Sequence, residues 1–417
     1  MNEKQMNFRT SQGHHLGLYI KEARLRQGYR LTEVAQGICA VSLLSRIESG
    51  TFEPTPTIFE KLSRRLDLTF PTQHRRDPIE TFRTLLCRRE FEKLEQLLVG
   101  DDLFDYEKAL LEFLLSVEKQ DVAKALQLKK MIDKWAEHLN PREKQMYTLF
   151  HAMDCFSRQE WEAGVNFLEM SYRIALEKGI EDPLLLMALG KYYVKIGRVH
   201  LGFTFLEEAY QLLQKFLAQK LMVACLVVLC EEYIKIGEYD VATRKLAQIE
   251  RLLDLEASAG TMHDYLRLSG QIAEGRGDRV VAERIFAQLR NEKHIRCSSA
   301  CLEALVDFYY RAGRMEVVRE LIAEVEVQKL NNRMKMWLEY YYYKITDTDV
   351  NDFELFLLDD AIPIALQDLD VAHATMYLKD LIVIYEGKKS HKGVALTYRK
   401  LEQFRNRLEQ MRTIQAV

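Results

Sequence analysis

From residue 79 to the end of the chain, apolar residues recur at spacings of three and four, with charged residues between them. That is the period of helices packed along one face. Alternating runs rich in Val, Ile and Thr and bounded by turn pairs, which would mark strands, do not interrupt it. Proline placement agrees. Pro54, Pro56, Pro71 and Pro78 crowd into residues 54–78, whereas Pro141, Pro183 and Pro363 are spread over everything after. A helix interior does not tolerate the missing N–H and the fixed ring, so a long proline-poor stretch reads as helix after helix. The segment LTFPTQHRRDP, residues 68–78, combines two prolines with charge and reads as a linker. The pattern therefore predicts a small head over 1–69, a linker over 70–78 and a helical body over 79–417.

The body repeats. Residues 186–210 place Leu189-Gly190, Tyr193, Gly197, Gly202, Leu206 and Ala209 in an order that recurs three times. The recurrences are Leu229-Cys230, Tyr233, Gly237, Ala242, Leu246, Ile249; Ser269-Gly270, Ala273, Gly277, Ala282, Phe286, Leu289; and Leu305-Val306, Tyr309, Gly313, Val318, Ile322, Val325. Each part has a physical cause. A small residue lets two helices approach, a glycine ends the first helix with a positive φ, and apolar residues seal one hairpin against the next. Weaker units surround Cys155, Gly164 and Leu168; Ser116, Ala125 and Ile132; Trp337, Tyr341 and Phe353; and Tyr385, Val394 and Tyr398. This pattern resembles the tetratricopeptide repeat. The expected fold is all-α: a four- to five-helix head, then a right-handed superhelix of about nine helical hairpins.

The head carries four short helical segments. Leu16–Arg26 offers Leu18, Ile20, Ala23 and Leu25 to a core and ends at Gly28; a second helix runs from about Arg30 to Gln36. After a turn at Gly37 a third covers Ala40–Glu48 with Leu44 and Ile47 inward, and a fourth, Thr57–Leu66, follows Pro56. Two short helices joined by a tight glycine turn form a helix-turn-helix, whose second helix enters the major groove. Gly37, Ile38, Cys39, Ser42, Ser45, Arg46, Ile47, Glu48, Ser49, Gly50 and Pro54 together resemble the XRE-type, Cro/repressor-like helix-turn-helix. With the repeats behind it, the chain resembles the RNPP peptide-pheromone receptors of the PlcR and NprR type. The resemblance implies a transcription regulator in which Arg30, Ala40, Val41, Ser42, Leu43 and Arg46 meet DNA and a short signalling peptide binds the repeats.

Two departures from the family pattern stand out. Arg30 and Leu31 occupy the start of helix two, where the family carries Ser or Thr followed by Gln, so a neutral cap is lost. Ala40, Val41 and Leu43 are apolar where the family reads bases; they can touch thymine methyl groups and offer no bidentate hydrogen bond. On the body, the residues of each first helix that point away from its partner are Met187, Lys191 and Lys195; Val227, Glu231 and Lys235; Asp264, Arg267 and Gln271; and Glu303, Asp307 and Arg311. From these, Lys191, Lys195, Glu231, Lys235, Asp264, Arg267, Gln271, Asp307 and Arg311 are the candidate peptide-binding residues, a mixed-charge set able to pair with termini and amides. The run Tyr340–Tyr343 is expected to pack between hairpins.

Charge supports a two-part chain. Residues 1–76 hold twelve Lys or Arg against seven Asp or Glu, within a chain whose net charge is −3. A basic head on an acidic body fits a head that meets phosphates. The seven cysteines include no C-x-x-C pair; Cys297 and Cys301 are four apart, and buried thiols rather than disulfides or zinc ligands are expected. The ten histidines form no ligand-spaced cluster, with His14 and His15 expected in an N-terminal arm. No nucleotide, zinc-protease or nucleophile-elbow motif occurs, so no catalysis, cofactor or metal is expected. No apolar run is long enough for a membrane span and no leader pattern opens the chain, which predicts a cytoplasmic protein. Its expected partners are an operator in double-stranded DNA, a short peptide and a second copy in a homodimer. A second reading is a Rap-like scaffold whose repeats bind and inhibit a regulatory protein; co-purification of a peptide or of a folded protein separates the two.

Overall fold

The computed structural model describes residues 11–52, 54–68, 77–99, 103, 105–133, 139–253, 259–292, 298–325, 330–346 and 348–412, and the side chains of 11–16, 18, 105, 259 and 412 lie outside that description. Among the described residues every regular element is helical, as the pattern predicts. The chain divides into two compact units, residues 1–181 and 182–417.

The head opens the first unit with α1 (Ser11–Arg26), α2 (Leu31–Ala35), α3 (Val41–Glu48) and α4 (Pro56–Arg65). His14 and His15 fall inside α1 rather than in an arm, because the helix begins five residues before the expected Leu16. Ile20, Ala23, Val34, Ala35, Leu44, Ile47, Leu62 and Leu66 form the core. Leu25 does not join them: it is exposed, on the side of α1 that faces away from α3. Gly28 and Gly37 take positive φ and close the two turns. Most of the expected linker, 70–76, lies outside the described residues, but Asp77 and Pro78 belong to the next helix. Asp77 accepts the Ile79 amide at 3.0 Å and Pro78 is the first helical residue.

Among the described residues nine hairpins follow. The first unit holds α5 (Pro78–Cys87) with α6 (Phe91–Val99), α7 (Asp105–Glu118) with α8 (Val122–Ile132), and α9 (Pro141–Ser157) with α10 (Trp161–Lys178). The second holds α11 (Pro183–Lys195) with α12 (Val199–Lys215), α13 (Gln219–Lys235) with α14 (Tyr239–Leu253), α15 (Ala259–Gly275) with α16 (Arg279–Asn291), and α17 (Ser299–Arg311) with α18 (Met315–Ala323). Next, α19 (Asn332–Ile345) packs on a bent segment made of α20 (Val350–Phe356), a π turn (Leu357–Ala361) and α21 (Ile362–Gln367). The last pair is α22 (Val371–Gly387) with α23 (His391–Arg412).

The turn glycines behave as their positions require: φ is 78° at Gly197, 81° at Gly237, 82° at Gly277 and 74° at Gly313. Close approach also needs glycine. A Cβ on Gly190 would sit 2.5 Å from Leu206 Cγ, and one on Gly202 would sit 3.0 Å from the Gly190 carbonyl oxygen, so α11 and α12 cross backbone to backbone. The tyrosine run packs: Tyr340 lies against Tyr377, Tyr341 against Tyr310, and Tyr343 against Phe353 and Phe356, while Tyr342 is exposed. No described helix is long and apolar enough to cross a membrane.

Candidate functional site: a reading helix and an inner stripe

The sequence of α3, VSLLSRIE, puts Leu44, Ile47 and Glu48 on one side, all buried, and Val41, Ser42, Ser45 and Arg46 on the other, all exposed. Ala40, the residue before the helix, is exposed too, whereas Leu43 is half-buried against the core. Arg46 lies with its guanidinium 5.2 Å from the centre of the Phe52 ring, a cation–π contact. Its carbonyl accepts the Thr51 and Phe52 amides at 2.9 and 3.1 Å and the Ser49 and Thr51 hydroxyls at 3.1 Å. The loop after α3 is thus wrapped onto the residue expected to meet DNA.

Two contacts hold this helix in place and a third closes the helix before it, and none was among the expected site residues. Arg24 of α1 donates from Nε to Glu48 Oε1 at 2.7 Å and from a terminal nitrogen to Oε2 at 2.8 Å, a two-point fork inside the core. The same guanidinium reaches the Tyr29 carbonyl at 2.9 Å. Gly17 supplies the close approach, since a Cβ there would lie 1.8 Å from the Ile47 carbonyl oxygen. Arg65 of α4 donates to the Glu33 and Val34 carbonyls at 3.3 Å and to that of Gln36, closing the C-terminal end of α2 with a cation. A Glu beside Ile47 on the inward face of α3 was the available sequence signal for a buried partner. Nothing in sequence pointed to Arg24 out of the four arginines in residues 24–46. Arg30, exposed, begins α2 without a side-chain cap; the Glu33 carboxylate accepts the Arg30 amide at 2.6 Å and makes good part of that loss.

In the second unit, first helices of successive hairpins touch, and their inward residues form one stripe. Most of the stripe is already paired with itself. Arg267, 3% exposed, reaches Glu231 on the preceding first helix at 2.6 Å and Asp264 on its own at 3.0 Å. Arg311 bridges back to Glu274 at 3.0 Å, and Arg333 ties Glu303 at 2.6 Å to Asp370 at 2.8 Å. Asp307 accepts the Tyr341 hydroxyl, and Asp380 accepts both the Tyr340 hydroxyl at 2.7 Å and the Lys344 ammonium at 2.8 Å. Lys235 turns outward to Glu232. Lys191 is exposed and Gln271 half-exposed.

Burial dominates the electrostatics here. It raises the carboxyls of Asp307 and Glu303 above the ordinary range, outweighing Tyr341 in one case and Arg333 in the other. Burial opposes the charge on Asp370 as well, yet the His373 hydrogen bond at 2.7 Å and the Arg333 charge outweigh it and hold that carboxyl below the usual range. Lys195 is pushed down by burial, with Asp370 and Asp368 acting against the shift and Arg333 adding to it. Lys195 ends α11 whereas Asp368 and Asp370 flank the start of α22, so the stripe folds round until its first and last hairpins share one field. Tyr192 adds a bond across the same closure, its hydroxyl 3.5 Å from the Met411 carbonyl oxygen. Two polar nitrogens on α15, one turn apart, remain buried with no hydrogen-bond partner among the described residues: Arg267 Nε and His263 Nε2. The described cysteines, Cys39, Cys87, Cys155, Cys225, Cys230 and Cys301, form no disulfide, with burial pushing the Cys225 and Cys230 thiols up to about 12; Cys297 lies outside the described residues.

Known proteins share both halves of this arrangement. Residues 20–72 match the helix-turn-helix family model, which spans α2, α3 and α4. The transcriptional activator NprA of Geobacillus stearothermophilus is 20% identical over 411 residues, covering 89% of this chain and 98% of the relative. Among solved structures, NprR in complex with its cognate peptide NprX superposes with a TM-score of 0.63 at 17% identity, covering 78% of this chain and 98% of that one. A Rap protein complexed with competence and sporulation factor gives 0.60 at 14% identity, with 80% and 98% covered. The head thus matches a helix-turn-helix family model, and the repeats share the fold of the NprR and Rap structures.

Proposed function

Taking the chain as a helix-turn-helix protein of the RNPP type, we propose that it is a peptide-responsive transcription regulator. It binds operator DNA through α3 and a short signalling peptide along the inner stripe of its second unit. The observation that carries this is the exposed row on α3 inside a matched helix-turn-helix: a surface held rigidly from behind and left unpaired in front. Arg46 and Arg30 are the phosphate-facing cations, and Ala40, Val41 and Ser42 face the bases, with Leu43 packed behind them. Since one such head binds weakly, two copies act together on a two-fold operator. On the stripe, Lys191 and Gln271 are the outermost candidates, and the unsatisfied Arg267 Nε–H fits a peptide carbonyl, with the His263 Nε2 one turn away as a second peptide contact. Lys195, Glu231, Asp264, Asp307 and Arg311 set the shape that the peptide selects, and peptide and DNA communicate through that shape. The Rap-like scaffold reading shares the repeat fold but leaves the helix-turn-helix match without a role.

Two measurements test the proposal. Full-length protein should enrich specific duplexes from a random library, and Arg46→Ala should weaken binding at moderate salt with an unchanged melting temperature and a shallower salt slope. Mass spectrometry of small molecules released from protein isolated from its own host should find a short peptide, lost in a Lys191→Ala, Gln271→Ala double variant that still binds the enriched duplex. Enrichment of no duplex, or release of a folded protein instead of a peptide, would overturn it.

A further inference from the structure

Resting on the DNA-binding reading above, we infer that α3 recognises thymine methyl groups through Ala40 and Val41, with Arg46 acting as a phosphate clamp rather than a base reader. The N-terminal turn of a recognition helix is the part that reaches base edges. Here that turn presents a methyl at Ala40, an isopropyl group at Val41 and one hydroxyl at Ser42. Val41 is 40% exposed although the helix buries Leu44 and Ile47 completely and packs Leu43 partly against the core. A β-branched side chain held at the first helical position keeps one rotamer, so its methyls project as a fixed shape. In the major groove the thymine C5-methyl is the apolar group that such a surface can match, and guanine and adenine need a bidentate polar partner that this turn does not have. Serine hydroxyls at Ser42 and Ser45 serve either base and discriminate little.

Arg46 is the one long polar side chain on this face, and its geometry points away from guanine. Its guanidinium rests on Phe52, in the loop beyond the C-terminal end of α3, and its carbonyl is held by Ser49, Thr51 and Phe52. A cation drawn back to that end lies beside the sugar–phosphate backbone when the first turn is in the groove. Phe52 is therefore the positioning residue for the clamp.

The test uses the full chain and the duplex it enriches from a random library. Replacing each thymine of that duplex in turn by uracil removes one methyl and nothing else. At the positions read by Ala40 and Val41, each replacement should weaken binding about threefold to fivefold, the worth of one buried methyl. Val41→Ser keeps the exposed surface compatible with folding and should abolish the uracil penalty at one position while leaving the other. Phe52→Leu should lower affinity for every duplex alike and leave the order of preference intact. Uracil tolerated everywhere, or Arg46→Ala relaxing the choice at one guanine, overturns the inference while leaving DNA binding standing. Failure to enrich any duplex overturns the DNA-binding reading and this inference with it.

Discussion

The exposed row on α3 and the inner stripe of the second unit are both helical faces spaced three and four residues apart, yet they handle polar groups in opposite ways. On α3 the polar work is done behind the helix, by Arg24 and Glu48, and the front is left exposed. On the stripe the front itself is consumed: Arg267, Arg311 and Arg333 each tie a carboxylate on the preceding first helix. A row of charges facing inward is thus not the same thing as a row of charges available to a ligand. The repeats need those ties because neighbouring first helices must hold one spacing, whereas a compact head of four helices is held by its own core.

Removing the hidden support should cost most. Glu48→Ala leaves the Arg24 charge buried without its fork, and chemical denaturation should show a loss of about 3–5 kcal/mol in the head, with DNA binding lost alongside. Arg267→Ala should cost less, about 1.5–3 kcal/mol, because Glu231 and Asp264 are partly solvated and can rehydrate. If that variant melts like the parent, the stripe is a binding row and not a strut. The turns give a smaller effect of opposite sign. Gln159 joins α9 to α10 with φ of 62°, and Gln159→Gly should raise stability by about 0.5–1 kcal/mol by relieving it. Smallest of all, Arg64→Ala removes an exposed pair with Glu60 one turn away on α4, and stability should fall by no more than about 0.5 kcal/mol in chemical denaturation.

Gln159 also explains how far the repeats could be read. Arg89, Gln120, Gln159 and Lys389 occupy the same left-handed turn position in their hairpins that Gly197, Gly237, Gly277 and Gly313 occupy in theirs. A glycine at a left-handed turn is visible in a sequence; an arginine or glutamine forced into that conformation by the packing on both sides is not. Hence the four central hairpins stood out and the flanking ones had to be inferred from thinner apolar spacing. Even the hairpin of α19 came through as a unit, but its partner segment with a π turn at Leu357–Ala361 did not.

Local chemistry settled the helical class, the nine hairpins, the glycine turns and the exposed face of α3, because each depends on residues within a turn or two of one another. The pairings that give those faces their roles span far more chain. Arg24 and Glu48 are 24 residues apart, Arg267 and Glu231 are 36 apart, and Tyr192 and Met411 are 219 apart. Periodicity states which side of a helix looks inward, but the identity of what waits there depends on how successive hairpins rotate. Lys195 shows the limit most plainly: its place on the inward stripe followed from spacing, whereas its loss of water and its closeness to Asp368 and Asp370 required the second unit to curl round on itself. A charge's neighbours are set by the path of the whole chain, so only the folded unit decides whether it is free to bind.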